Sequence, residues 1–332
     1  MPRKFDHRHS GHCETGALSA LFRDRGHDLS ESLLFGLGGG LFFVHLPFVK
    51  MGDIPLTAYR DRPGAIIRQA CKRLNVPMVK RKFRNESEGT AALDKLLSEG
   101  ISAGLRTSVF YLPYFPPDMR FQFNAHHLLV FDKEGDDYYI SDPVFDHIVT
   151  CSEKDLNRAR FAKGTFAPKG YLFYPLSLPD SFDLHGAILD SIGYTCKRML
   201  STPLPFIGIR GIRYLSKKIR MWPNRFGPDK ALLNVGTVVR MQEEIGTGGA
   251  GFRFMYAAFL QEAADITGIK ELSETAHMMG ETGDKWREFA VMGARMCKTD
   301  EKSQSSYDKL SEKIKECADS EEKIYRFLKG SI

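Results

Sequence analysis

The sequence is poor in the features that mark secreted, disulfide-bonded or membrane-spanning chains. Six cysteines are scattered over 332 residues (Cys13, Cys71, Cys151, Cys196, Cys297 and Cys317), with no CxxC pair and no repeated spacing. That pattern argues against a disulfide scaffold and against a zinc site, and it fits reduced thiols in a cytoplasm. Long hydrophobic runs are also lacking. The apolar stretch Leu33–Val49 is broken by His45, Pro47 and a glycine run. It falls short of the roughly 20 apolar residues that a spanning helix needs. The opening residues, MPRKFDHRHSGHC, have no apolar segment of the signal-peptide kind. There is no internal repeat and no low-complexity segment. Neither charge sign dominates: the net charge is +6, which permits an acidic partner without demanding one.

With 42% hydrophobic and 27% charged residues, the chain has the makeup of a packed globular protein long enough for two domains. Residues 13–24 have helical spacing, with Ala17, Leu18 and Leu21 on one face, Ser10 as cap and Gly26 as stop. Residues 30–49 suggest a strand or short helix interrupted by the GLGGG turn. Helices are expected over 63–75 and 89–99, and strands at VPMVKRKF and near 101–112. HHLLVF and YYISDP, separated by DKEGDD, read as a β-hairpin. After the proline- and serine-bearing PLSLPDS near 176–182 the period becomes helical, over 184–200, 208–220, 230–245, 251–267, 270–280, 283–298 and 303–328. The predicted architecture is an α+β domain over 6–177 followed by an all-helical domain over 178–332.

One constellation points to nucleophilic chemistry. Cys13 stands at an expected helix start, where the helix dipole favours the thiolate. A thiolate nucleophile needs a histidine base, and the base needs a group that fixes its orientation. Ala125–Pro143 supplies both. His126 or His127 opens one strand, and Asp142 closes the next, 16 residues on. Alternation puts the two imidazoles on opposite faces, so one of them can face Cys13. The plainer reading is a buried thiol, a core histidine and an Asp-Pro turn. The other five cysteines lack such a context.

HRHSGHCETGAL, SESLLFGLGGGLFF, the LPY at 112–114, the histidine strand and SDP together resemble the N-terminal domain of the butirosin biosynthesis protein H family, over about residues 6–175. That domain is similar to papain-like and bacteriocin-processing cysteine peptidases. The remainder resembles the helical domain that often follows it, through IGTGGAGFRFMYAAFLQEAA at 245–264 and DKWREFA at 284–290. The resemblance implies that Cys13 takes an acyl group from a carrier-protein thioester and passes it to an amine, in secondary metabolism, with a histidine as base and Asp142 as its orienter. It favours His126 over His127. It also implies no bound cofactor and no metal, the acyl group arriving on the phosphopantetheine arm of an acyl carrier protein. One departure is visible. Papain-like enzymes place a glutamine about six residues before the cysteine to hold the oxyanion, and here that residue is His7. The Cys13 backbone amide is then one oxyanion donor, with His7, His9 or His12 as candidates for another. Gly38 and Gly39 of GLGGG serve either close approach to a substrate arm or tight packing.

Lys197–Lys230 carries nine basic residues and one acidic residue, Asp229. Arg213, Lys217, Lys218 and Arg220 are candidates for docking an acidic carrier protein. No nucleic-acid module is recognisable, so nucleic acid is not an expected partner. The rivals to acyl transfer are a cysteine peptidase or amidase with the same site, and a non-catalytic binding module that keeps the fold.

Overall fold

The computed structural model describes residues 2–51, 54–245 and 248–331. Gly246 and Thr247 of the glycine-rich motif at 245–264 lie outside these residues. The chain forms two compact units. The first comprises residues up to Leu34 together with Leu74–Phe182. The second comprises Phe35–Arg73 and Asp183 onwards. The expected boundary near 178 therefore has a counterpart at 182/183, but a division of the chain into two continuous halves is corrected. Residues 35–73 belong with the helical unit, because the hairpin they build contributes its apolar side chains to that core. Phe43 and Tyr59 pack on Trp286 there, with ring centroids 6.1 and 5.6 Å apart.

The first unit is α+β. Its sheet has six antiparallel strands in the spatial order Met78–Arg81, Leu172–Pro175, Ala103–Thr107, His126–Glu134, Asp137–Ser141, Val149–Ser152. The helix Cys13–Arg23 packs on the two central strands. Ten of its eleven residues are buried, as its apolar composition requires. Helices Glu86–Ser98 and Glu153–Arg160 begin on side-chain caps. Asn85 Oδ1 accepts the Glu88 amide at 2.8 Å, and Ser152 Oγ accepts the Asp155 amide at 3.2 Å. One core cluster joins Leu93, Leu105, Leu128, Val130 and Ile140. The hairpin that carries the histidines turns at Gly135-Asp136, with Gly135 at φ +61°, as a two-residue turn demands.

Two local expectations change in this unit. The strand predicted near 101–112 is confined to Ala103–Thr107, and a short 3₁₀ turn follows at Val109–Tyr111. Ser10 does not cap the first helix. The cap position is His12, and the Ser10 amide instead donates to the Pro143 carbonyl at 2.8 Å.

The second unit holds the antiparallel pair Leu41–Met51 and Ile54–Arg60, the helix Ala65–Arg73, and the helices from Leu184 to Ser331. Its core is built around Trp286, Tyr256, Phe259 and Leu310, all fully buried. The expected pair of helices at 270–280 and 283–298 is one helix, Lys270–Thr299. Gly283 lies where a Cβ would stand 2.6 Å from the Phe254 ring. Its smallness serves packing and does not break the helix.

Candidate active site

The strand register brings the candidate acid to the candidate base. Leu129 pairs with Ser141, so the next residue, Asp142, falls opposite Leu128, diagonal to His126 and on its face of the sheet. His126 Nε2 is 2.7 Å from Asp142 Oδ2. A carboxylate only accepts, so Nε2 carries a proton and donates it to Asp142. Cys13 lies near enough to His126 to add to the proton affinity of the imidazole. All three groups are buried, with Asp142 fully so and His126 3% exposed.

The electrostatics follow from this packing. Burial by itself would lower the proton affinity of His126. The charge and hydrogen bond of Asp142, helped by Cys13, outweigh it and raise the imidazole pKa to about 10. The arrangement favours an imidazolium between a carboxylate and a sulfur. His127 leaves the strand on the opposite face and packs edge-on against Phe173, at 6.0 Å between centroids. His126 instead packs edge-on against Phe115 at 5.4 Å. Of the two adjacent histidines, His126 is the one that meets Asp142.

Residues 12–143 match the family described as butirosin biosynthesis protein H, N-terminal, and residues 154–328 match a domain of unknown function, DUF4872. The chain belongs to the DUF4872 family, whose match spans just over half of it. Its N-terminal part is similar to the butirosin H domain. The crystal structure of a C39-like peptidase from Bacillus anthracis is a similar solved structure. It shares 13% identity and covers 53% of this chain and 94% of its own, with a TM-score of 0.35. A comparison with curated proteins finds no match.

In this chain the residue six places before Cys13 has another employment. His7 Nδ1 is 2.7 Å from Ser141 Oγ, and its Nε2 is 3.1 Å from the Phe145 carbonyl. The carbonyl must accept, so Nε2 donates and Nδ1 accepts from the serine hydroxyl. Both nitrogens are committed, which leaves no donor for an oxyanion. Burial lowers the His7 pKa, which suits this neutral ring. His12 is buried with Nδ1 3.0 Å from Thr15 Oγ1. The amides of Gly11 and His12 donate to the Glu31 carboxylate at 2.8 and 3.1 Å. His9 is exposed. Gly38 and Gly39 belong to the second unit, where added Cβ atoms would meet Ile66 at 2.3 Å and Tyr194 at 2.6 Å, so close packing accounts for both.

Among the docking candidates, Arg213 is held by Asp319 and Glu322, each at 2.6 Å, and Arg220 by Asp308 at 2.9 Å. Lys217 is exposed, and Lys218 lies over the Tyr214 ring at 5.3 Å. Among the described residues no cluster of three or more metal-ligating side chains occurs, and no helix is long and apolar enough to cross a membrane. Sequence reasoning missed Tyr114, whose hydroxyl donates to Asp142 Oδ2 at 2.9 Å. The LPY motif marked the segment but gave no sign of a contact spanning 28 residues.

Proposed function

We propose that this protein is a cysteine acyltransferase that moves an acyl group from an acyl-carrier-protein thioester, through Cys13, to an amine. The observation that carries the reading is the Cys13–His126–Asp142 line of contacts at the head of a buried helix. In the first half-reaction the Cys13 sulfur attacks the thioester carbonyl, and the bond to the carrier sulfur breaks. The His126 imidazolium gives its proton to the departing thiolate. In the second half an amine attacks the acyl-Cys13 carbonyl, the neutral His126 ring takes the amine proton, and the Cys13 thiolate leaves. Asp142 keeps the ring oriented and stabilises its charged form. The first amides of a helix have no intrahelical acceptor, which makes the Cys13 amide the oxyanion donor in this scheme.

The same residues suit a peptidase or amidase, with water as acceptor. Intact-mass analysis separates the two. The chain incubated with acyl thioesters should gain one acyl mass that Cys13→Ala does not gain. That mass should be discharged by added amines faster than by water. Discharge by water alone makes the protein a hydrolase, and no adduct under any donor ends the enzymatic reading.

A further inference from the structure

Asp142 Oδ2 accepts two hydrogen bonds, from His126 Nε2 at 2.7 Å and from the Tyr114 hydroxyl at 2.9 Å. Oδ1 accepts the Val144 amide at 3.1 Å. The phenol is held for this contact. Its ring packs on Phe115 at 5.3 Å and edge-on to Phe145 at 5.4 Å. Arg120 grips the turn on both sides of it, donating Nε to the Phe115 carbonyl at 2.6 Å and Nη2 to the Pro113 carbonyl.

We infer that Tyr114 is a positioning residue that shares Asp142 Oδ2 with His126, fixing the carboxylate and limiting how firmly it holds the imidazolium. The inference rests on the proposed role of His126. A donor on the same oxygen withdraws part of the negative charge that His126 feels, so the ring releases its proton more readily than it would beside an unshared carboxylate. Burial and the neighbouring Asp142 charge push the Tyr114 pKa well above its ordinary value, so the phenol stays a donor through the working pH range. The other titratable groups facing this cluster are Cys13 from the first helix, His7 from the N-terminal arm and Cys151 from the edge strand.

The test is a nitrogen-15 histidine NMR titration of the full chain carrying Cys13→Ala, which removes the sulfur as a second titrating group. His126 is assigned by its loss in His126→Gln. Tyr114→Phe should shift the His126 titration upward by about half a pH unit or more. The same change in an Asp142→Asn background should move nothing further. An unmoved titration, or an equal shift in both backgrounds, overturns the inference, even if stability falls. Should Tyr114→Phe not fold, Arg120→Gln replaces it, with the same expected direction. A wild-type chain that forms no acyl adduct would defeat the acyltransferase reading while leaving this titration readable.

Discussion

Gly16 packs so closely beneath Pro143 that a Cβ added to it would stand 2.7 Å from the proline Cβ and 2.6 Å from the Ser10 Cβ. Gly16 is one turn along the helix from Cys13, and Pro143 follows Asp142, so this contact couples the sulfur to the carboxylate. An alanine here gains about 1 kcal/mol of helix propensity. Overpacking between backbone-anchored groups costs about 1–3 kcal/mol and is the larger effect. Gly16→Ala should lower the urea midpoint modestly and slow alkylation of Cys13 by iodoacetamide several-fold. Alkylation at the wild-type rate would show that the two segments can part without consequence.

His126 makes stability depend on pH in a definite direction. An unfolded histidine titrates near 6.5, and in the folded chain Asp142 and Cys13 outweigh burial to raise this one to about 10. The folded state therefore holds the proton more tightly. The stabilisation is complete below about pH 6.5 and is lost as the pH rises towards 10. Urea unfolding of the wild type and His126→Gln should show a gap that narrows between pH 6 and pH 9.5. A constant gap would mean that the ring is not held as an imidazolium. Acyl transfer should decline on the alkaline side over the same range, because the leaving thiolate then lacks its proton donor.

How much of this was legible depended on whether a contact left a periodic trace. The helix opening at Cys13 and the hairpin carrying His126 and Asp142 were readable, because helical spacing and alternation report the backbone directly. The pairing of the histidine with the aspartate followed from register alone. Other contacts leave no such trace. His7 stands where a glutamine would act, yet its bonds to Ser141 and Phe145 depend on how the arm folds back. Tyr114 reaches Asp142 through a non-repetitive turn. The Leu41–Arg60 hairpin is apolar in a way that suits either core, so sequence order assigned it to the first domain and packing assigns it to the second unit. The ranges 270–280 and 283–298 read as two helices, whereas one helix runs through both and Gly283 makes room for Phe254.

The second unit contains a buried charge network whose failure should be costly. Arg253 donates Nε and Nη2 to Glu321 at 2.9 and 3.1 Å, and both side chains are fully buried. Trp286 Nε1 donates to the same carboxylate at 2.6 Å, and Arg253 Nη1 donates to the Gly251 carbonyl at 2.7 Å. Glu321→Gln keeps the shape and strands the guanidinium charge without water. A loss of about 3–5 kcal/mol is expected, read as a lowered urea midpoint. Replacing Arg253 and Glu321 together with apolar residues of similar volume should cost less than Glu321→Gln alone. The opposite order would mean that the ion pair itself supplies the stability.

The basic segment gives the carrier-docking idea an internal control. Arg213 and Arg220 already face carboxylates of their own chain, so an incoming acidic helix would have to compete for them. Lys217 is exposed and Lys218 rests on an aromatic ring, which leaves both ammonium groups able to serve a partner. Exposed charges act mainly on encounter, within a Debye length of about 8 Å at physiological salt. Lys217→Glu with Lys218→Glu should weaken binding of an acyl carrier protein by roughly tenfold at low salt and by less at high salt. Arg213→Gln should instead reduce stability slightly, through its lost partners, and leave carrier affinity nearly unchanged. Equal effects of the two changes on affinity, or none from the lysine pair, would remove this face from consideration while leaving the Cys13 chemistry untouched.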